Sequence, residues 1–338
     1  MDKPNVTTAD IARRAKVSKM SVSRALNGRA GVSEKTRERI LEIAEQMGYV
    51  APLRAHHGNS KLIAILIPDI TTTYMGEILR GVSGAAERLN YGLMLYTQGT
   101  IDHSERTSYY LSLLNNSMVD GMLLVVPRDY EVIVNDLENY GLRYVIIDHH
   151  NGTGTEPSVT ATNRKGVLDA MRHLLALGHQ RIGFITGRMD VVCSRDRLQG
   201  YRDGLTEVGL PFDAELVREG DFLQASGFKH AQSLLQLENP PTAIVASNDV
   251  MALGAMDATK ALGLTVGKDI SIVGFDDIYM ASQAYPPLTT VRQPLAEMGE
   301  TAVELLVTLL QGQTILTLRR ELPTELIVRE STGRILPC

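Results

Sequence analysis

The spacing of apolar positions changes character along the chain. Between residues 7 and 47 they recur every three or four residues in short bursts: Ile11, Ala12 and Ala15; Val22, Ala25 and Leu26; Ile40, Ile43, Ala44 and Met47. That period places each set on one face of a helix. Thr7, Ser18 and Ser33 stand where N-caps belong, and Val17 plugs the turn between the first two helices. The pattern predicts three short helices: one starting after Thr7, one over Lys19 to Leu26 and one over Glu34 to Met47.

From Lys61 the pattern becomes short, near-continuous apolar runs alternating with amphipathic stretches. LIAILIP is followed by MGEILRGVSGAAERL, GLMLYT by a polar helix around SYYLSLL, DGMLLVV by YEVIVNDLENYG, and RYVIID closes the series. Runs without polar alternation suit parallel strands buried on both faces, with helices crossing over between them. A second series starts at Arg164 with a helix stopped by Gly178. It continues through RIGFITG, RLQGYRDGLTEVG, VREGDF, GFKHAQSLL, TAIVASND, VMALGAMDATKALG and ISIVGFDD. The expected class is α/β: a three-helix, helix-turn-helix head at 1–50, a connector at 51–60, and two doubly wound parallel-sheet subdomains at 61–160 and 161–288 with a cleft between them.

Charge sharpens this division. The net charge of −5 hides a split: residues 1–60 carry 11 Lys and Arg against 6 Asp and Glu, and the remainder 23 against 33. A head at +5 on a body at −10 is the distribution expected when only the head approaches phosphate. On the second helix Lys19, Met20, Ser21 and Arg24 fall outside the apolar stripe. Lys or Arg matches the acceptors of guanine, and an apolar side chain the methyl group of thymine, so Lys19 and Met20 at the helix start are the candidate base readers. Thr7, Thr8, Ser18, Ser21 and Ser23 suit phosphate oxygens, which fix register without reading sequence. Asn27 completes the candidate DNA-binding set, and the alternative is a helical hairpin with a solvated basic face.

Two cysteines, Cys193 and Cys338, make no disulfide framework, and neither a secretory leader nor an apolar run of membrane-spanning length is present. The expected compartment is the cytoplasm, with no membrane partner. Enzyme signatures are poor. Gly152-x-Gly154 is followed by Pro157 and a polar run instead of a helix, and neither a P-loop nor a nucleophile elbow occurs. The adjacent pairs His56-His57 and His149-His150 point their rings apart without a Cys cluster, so no metal is expected. Asp276-Asp277 has no nearby nucleophile and reads as hydrogen bonding.

In open α/β sheets ligands collect beyond the carboxyl ends of strands. There stand Thr72 and Tyr74, Asp148, Arg197, Phe222, Asn248 with Asp249, Asp276 and Gln293. One arginine, a flat aromatic and several carboxylates or amides suit a polyol, whose hydroxyls both donate and accept while its apolar face stacks on a ring. The competing readings are a surface ion pair for Arg197, a turn former for Asp276, plain core for Phe222 and an N-cap for Asn248.

The runs ADIARRAKVSKMSVSRALNG and VSEKTRERILEIAEQMGY resemble the head of the lactose-repressor and galactose-repressor (LacI/GalR) family of bacterial transcription regulators, and the likeness extends over essentially the whole chain. It implies a periplasmic-binding-protein-like core whose cleft takes a small effector. Arg197 in SRDRLQGY, Asn248 in SNDVMALGA and Asp276 in VGFDD match motifs that supply effector contacts. Asp148, Phe222, Tyr74, Thr72 and Gln293 match positions that line the pocket. The resemblance further implies a homodimer on a pseudo-palindromic double-stranded operator, with Met75 to Leu89 in its seam, and repression by family habit. It has residues 289–318, with strand LTTVRQP and helix LAEMGETAVELLVTLLQG, return to the first subdomain, and 319–338 to the second, so that the chain crosses the hinge three times. The connector would become helical on DNA and wedge a leucine into the minor groove. Leu53 is the candidate, although VAPLRAHHGNSK is shorter than the family pattern and lacks its Ala-Arg-x-Leu core, and a plain linker is the other reading. No cofactor is expected. A purine or sugar-phosphate effector is the runner-up, and a sugar-binding transport component or carbohydrate enzyme is the rival from other classes.

Overall fold

The computed structural model describes residues 8–26, 31–47, 60–97, 119–127, 130–149, 156–313, 315 and 317–335. It divides into two compact units, Met1–His56 and His57–Cys338. The smaller unit contains α1 (Thr8–Ala15), α2 (Lys19–Leu26) and α3 (Glu34–Gln46). Ile11, Ala12, Ala15, Val22, Ala25, Ile40 and Ala44 form its buried core, as the helical spacing predicts. Ser18 caps α2, its Oγ accepting the N–H of Ser21 at 3.1 Å. Arg39 donates to the carbonyl of Ala15, tying α3 to the end of α1.

The larger unit opens with β1 (Leu62–Ile67), α4 (Thr73–Arg88), β2 (Gly92–Thr97), β3 (Gly121–Val125), α5 (Tyr130–Asn139), β4 (Arg143–Ile147) and β5 (Ser158–Ala161). It continues with α6 (Asn163–Ala176), β6 (Ile182–Thr186), α7 (Val192–Glu207), β7 (Val217–Glu219), α8 (Gln224–Leu235), β8 (Ala243–Ala246), α9 (Asp249–Ala261) and β9 (Ser271–Asp276). The chain ends through α10 (Tyr279–Gln283), β10 (Thr289–Arg292), α11 (Leu295–Leu310), β11 (Arg319–Leu322) and β12 (Glu325–Ile327). One sheet runs β11-β5-β4-β3-β1-β2 and the other β12-β10-β9-β8-β6-β7. Every pairing is parallel except β10 with β12. Alternate residues of β1 show why its run is apolar throughout: Ile63, Ile65 and Ile67 pack under α4 and α11, whereas Ala64 and Leu66 pack under α5.

Two expectations about the hinge need correction. The strand Thr289–Arg292 does not return to the first subdomain; it pairs with β9 in the second sheet, and the return begins only with α11. The reason lies in its buried hydroxyls: Thr290 donates to Asp249 Oδ1, on α9, at 2.5 Å, and Thr289 accepts from the N–H of Arg329 at 2.9 Å. Conversely, Arg319–Leu322 joins the first sheet beside β5, and only the segment from Glu325 belongs to the second. The chain still crosses three times, at 161–163, 292–295 and 322–325. The apolar pattern gives no sign of strand β5, and α7 begins at Val192, ahead of the expected start. The helix around SYYLSLL, residues 51–59 of the connector with Leu53, His56 and His57 among them, Gly152, Gly154 and His150 lie outside the described residues.

Glycines allow the closest helix approach. A Cβ on Gly81 of α4 would lie 1.8 Å from the carbonyl oxygen of Ala296 on α11, and one on Gly299 2.4 Å from that of Ile78. Backbone cannot yield as a flexible side chain can, so Gly81→Val should destabilise the first subdomain by about 3 kcal/mol, the upper end of overpacking costs. A lowered urea midpoint for that subdomain checks this, and an unchanged midpoint would refute the close backbone approach.

Candidate functional site

The carboxyl ends of both sheets face one cavity of about 290 Å³. Of the nine residues picked from strand ends, seven line it: Thr72, Tyr74, Asp148, Arg197, Phe222, Asn248 and Asp276. The other two, Asp249 and Gln293, are buried behind the wall, and Gln293 donates its amide to Asp276 Oδ1 at 2.7 Å. Each position follows from the local fold. Thr72 caps α4, its Oγ1 accepting the N–H of Met75, which leaves Tyr74 on the first turn facing Asp148 beyond β4. Asn248 caps α9 through the N–H of Met251 and donates to the carbonyl of Phe222 at 3.1 Å. The N-cap reading of Asn248 and its place in the cavity therefore both hold.

Phe222 is half-buried, not plain core, and sits at φ 71°. Its ring packs so tightly on Gly187 that a Cβ there would come within 2.0 Å of it. Arg197 is no surface ion pair: it is 2% exposed. Its Nε donates to Asn163 Oδ1 at 2.7 Å, Nη1 to the carbonyl of Ser247 at 2.5 Å, and its plane lies 3.9 Å over the ring of Phe275. Nη2 faces Asp148 Oδ2 at 3.9 Å.

Burial dominates the electrostatics. It pushes the Tyr74 hydroxyl well above its ordinary range, with the Asp148 charge adding to the effect, so Tyr74 remains a donor to that carboxylate at 2.9 Å. It pushes Asp276 up to about 7, against the pull of Arg197 and of the Gln293 hydrogen bond. Asp249, buried just behind, is raised first by burial and then by Asp276. Burial also raises the Cys193 thiol on the cavity wall.

A carboxyl group raised on folding favours the folded state below its unfolded value, and this contribution is lost as pH rises through the folded value. For Asp276 the window runs from about 4 to about 7. Asp276→Asn removes the titration, so its melting temperature should gain on the wild type between pH 5 and pH 8. A pH-independent difference would contradict the buried carboxyl.

Strand-end reasoning misses several wall residues, among them Asp69, Arg188, Cys193 and Asp221, together with Asn163, which is buried against Asp148 and Arg197. Asn163 lies two residues past the end of β5, so recognising SVTA as a strand would have found it by the same rule. The rest of the wall is mainly apolar, including Met75, Val126, Val191, Leu223 and Val250.

The second candidate surface belongs to the smaller unit and stands by itself. Lys19, Met20 and Arg24 are exposed on α2, Met20 at 63%, while Val22 and Ala25 are buried. Ser18 spends its Oγ on the cap and on a hydrogen bond with Ser21 at 2.9 Å. Thr8 and Ser23 lie on α1 and α2, and Thr7, Asn27 and Leu53 fall outside the described residues.

Residues 7–51 match the model for bacterial regulatory proteins of the lacI family, and residues 171–332 that for a periplasmic binding protein-like domain. Over 336 residues the chain is 36% identical to the HTH-type transcriptional repressor CytR of Escherichia coli strain K12, covering 98% of this chain and 97% of that one. The chain belongs to the LacI family. Among solved structures, the transcriptional regulator CelR–cellobiose complex matches with a TM-score of 0.77 and 32% identity, covering 97% of this chain and 100% of that one. The lac repressor dimer bound to operator and the anti-inducer ONPF matches at 0.74 and 31%, covering 97% and 99%. This LacI-family chain is thus a DNA-binding transcription regulator and not an enzyme. No helix among the described residues is long and apolar enough to cross a membrane.

Proposed function

We propose that this LacI-family regulator represses transcription from the cytoplasm as a homodimer on a pseudo-palindromic operator, and that a small sugar-like effector bound in the cleft changes its affinity for that operator. The observation that carries this reading is the convergence of Asp148, Arg197, Asn248 and Asp276 from both subdomains on one cavity with Tyr74 and Phe222 in its wall. Carboxylates, a guanidinium and an amide give hydroxyls both acceptors and donors, and the apolar wall meets the carbon face of a pyranose. The CelR–cellobiose complex is a relative with a sugar in hand. For DNA, the exposed Lys19 and Met20 on a helix anchored by Val22 and Ala25 support groove reading. Pairing two heads is supported by the operator-bound lac repressor dimer.

The effector acts only if it binds one arrangement of the subdomains better than the other. A melting-temperature panel of sugars, sugar phosphates, nucleobases and nucleosides tests the class. A rise with an unphosphorylated sugar is expected. No rise with any sugar, or one confined to bases or phosphates, would overturn the sugar reading while leaving the regulator intact.

A further inference from the structure

Two oppositely charged side chains of the cleft, Asp148 and Arg197, belong to different subdomains and do not meet well. Arg197 Nη2 stands 3.9 Å from Asp148 Oδ2, beyond hydrogen-bond reach, although both groups are 2% exposed. Asn163 fills the gap. Its Nδ2 donates toward Asp148 Oδ1 at 3.4 Å and to the carbonyl of Ala161 at 3.2 Å, and its Oδ1 accepts from Arg197 Nε at 2.7 Å. A carboxamide carries a donor and an acceptor on separate atoms, so it can donate to an acid on one side and accept from a guanidinium on the other. Asn163 is also the first residue of α6, directly after the first hinge crossing.

At the second crossing another carboxamide holds an acid of the cleft: Gln293 donates to Asp276 at 2.7 Å. The third is tied to the first through Thr162 and Thr324, whose hydroxyls lie 2.8 Å apart. Asp148 and Asp276 are therefore each held by a carboxamide carried on a hinge strand.

We propose that Asn163 is a positioning residue that holds Asp148 and Arg197 in register across the cleft and so couples the geometry of the site to closure of the two subdomains. It acts through its two neighbours, not by recognising a ligand. The inference shares its cavity with the effector reading, but the ligand-free protein tests it. Cys193 lines that cavity at 4% exposure, and its alkylation by N-ethylmaleimide, followed on the peptide that carries it and not Cys338, reports opening.

Asn163→Ala loses both bonds, and Asn163→Asp keeps the acceptor for Arg197 while losing the donor to Asp148. Both should alkylate about tenfold faster than the wild type, as expected when a buried hydrogen bond worth ~1.4 kcal/mol is lost from the closed form. Leu174→Ala is the control. It empties a core position of α6 well away from the cleft and should lower the melting temperature without opening the cavity. Rates within about twofold of the wild type in both Asn163 variants would overturn the proposal, as would an equal rise in Leu174→Ala. If Asn163→Ala gives no cooperative melt, Asn163→Asp decides by the same criterion. Because no ligand is added, an effector other than a sugar leaves this result standing, and closed variants refute it without touching the sugar reading.

Discussion

Arg197→Met should abolish the effector response while operator binding persists. The guanidinium is held in a dry site by Asn163, the Ser247 carbonyl, the Phe275 ring and, at longer range, Asp148. Methionine fills much of the volume but supplies no donor, so Asp148 is left with its bonds from Tyr74 and Asn163, and the Ser247 carbonyl loses the Arg197 donor. Removing one side of a buried, hydrogen-bonded charge set costs about 3 kcal/mol or more of stability in this unit. A ligand hydroxyl deprived of the same group should bind at least about a hundredfold more weakly, ~2.7 kcal/mol. The head has its own core, so its grip on DNA survives. Titrating operator binding with the active sugar checks this, and an unshifted dose curve would remove Arg197 from the site.

Lys19→Ala and Met20→Ala should change which operator is preferred. Both side chains are exposed at the start of α2, so their removal leaves the head's core untouched. Deleting a side chain that touches a base edge costs about 1–3 kcal/mol at that position and relaxes specificity for that base pair. Thr7→Ala, at a phosphate-type position, should instead weaken every sequence alike. Selection from random duplexes with each variant separates the two outcomes. An unaltered preference in Lys19→Ala and Met20→Ala would discredit the groove assignment.

What the sequence revealed depended on where each segment's partners lie. LIAILI and GMLLV are legible because strands buried on both faces must be apolar at every position. SVTA and RREL are short and polar, and only pairing with each other and with β4 makes them strands. TTVR reads correctly as a strand, but its choice of sheet is made by Asp249 and Ser331, far away in sequence.

The site shows the same contrast. The rule that ligands gather beyond strand ends finds seven cavity residues, because a strand ending in polar residues is a local signal. Asn163 escapes it along with the strand that precedes it. Gln293 follows a recognised strand, yet its side chain turns to Asp276 and backs the wall instead of lining it. No pattern within TTVRQP encodes that choice.

Occupancy of the cleft should govern a salt-sensitive grip on symmetric DNA. This is tested most directly by measuring the operator dissociation constant of the full-length protein across a salt series, with and without the sugar that raises its melting temperature. Log affinity is expected to fall linearly with log salt, and the sugar to displace the line. Failure to bind any symmetric duplex selected from random sequence, or one line shared by the free and sugar-bound protein, would contradict it.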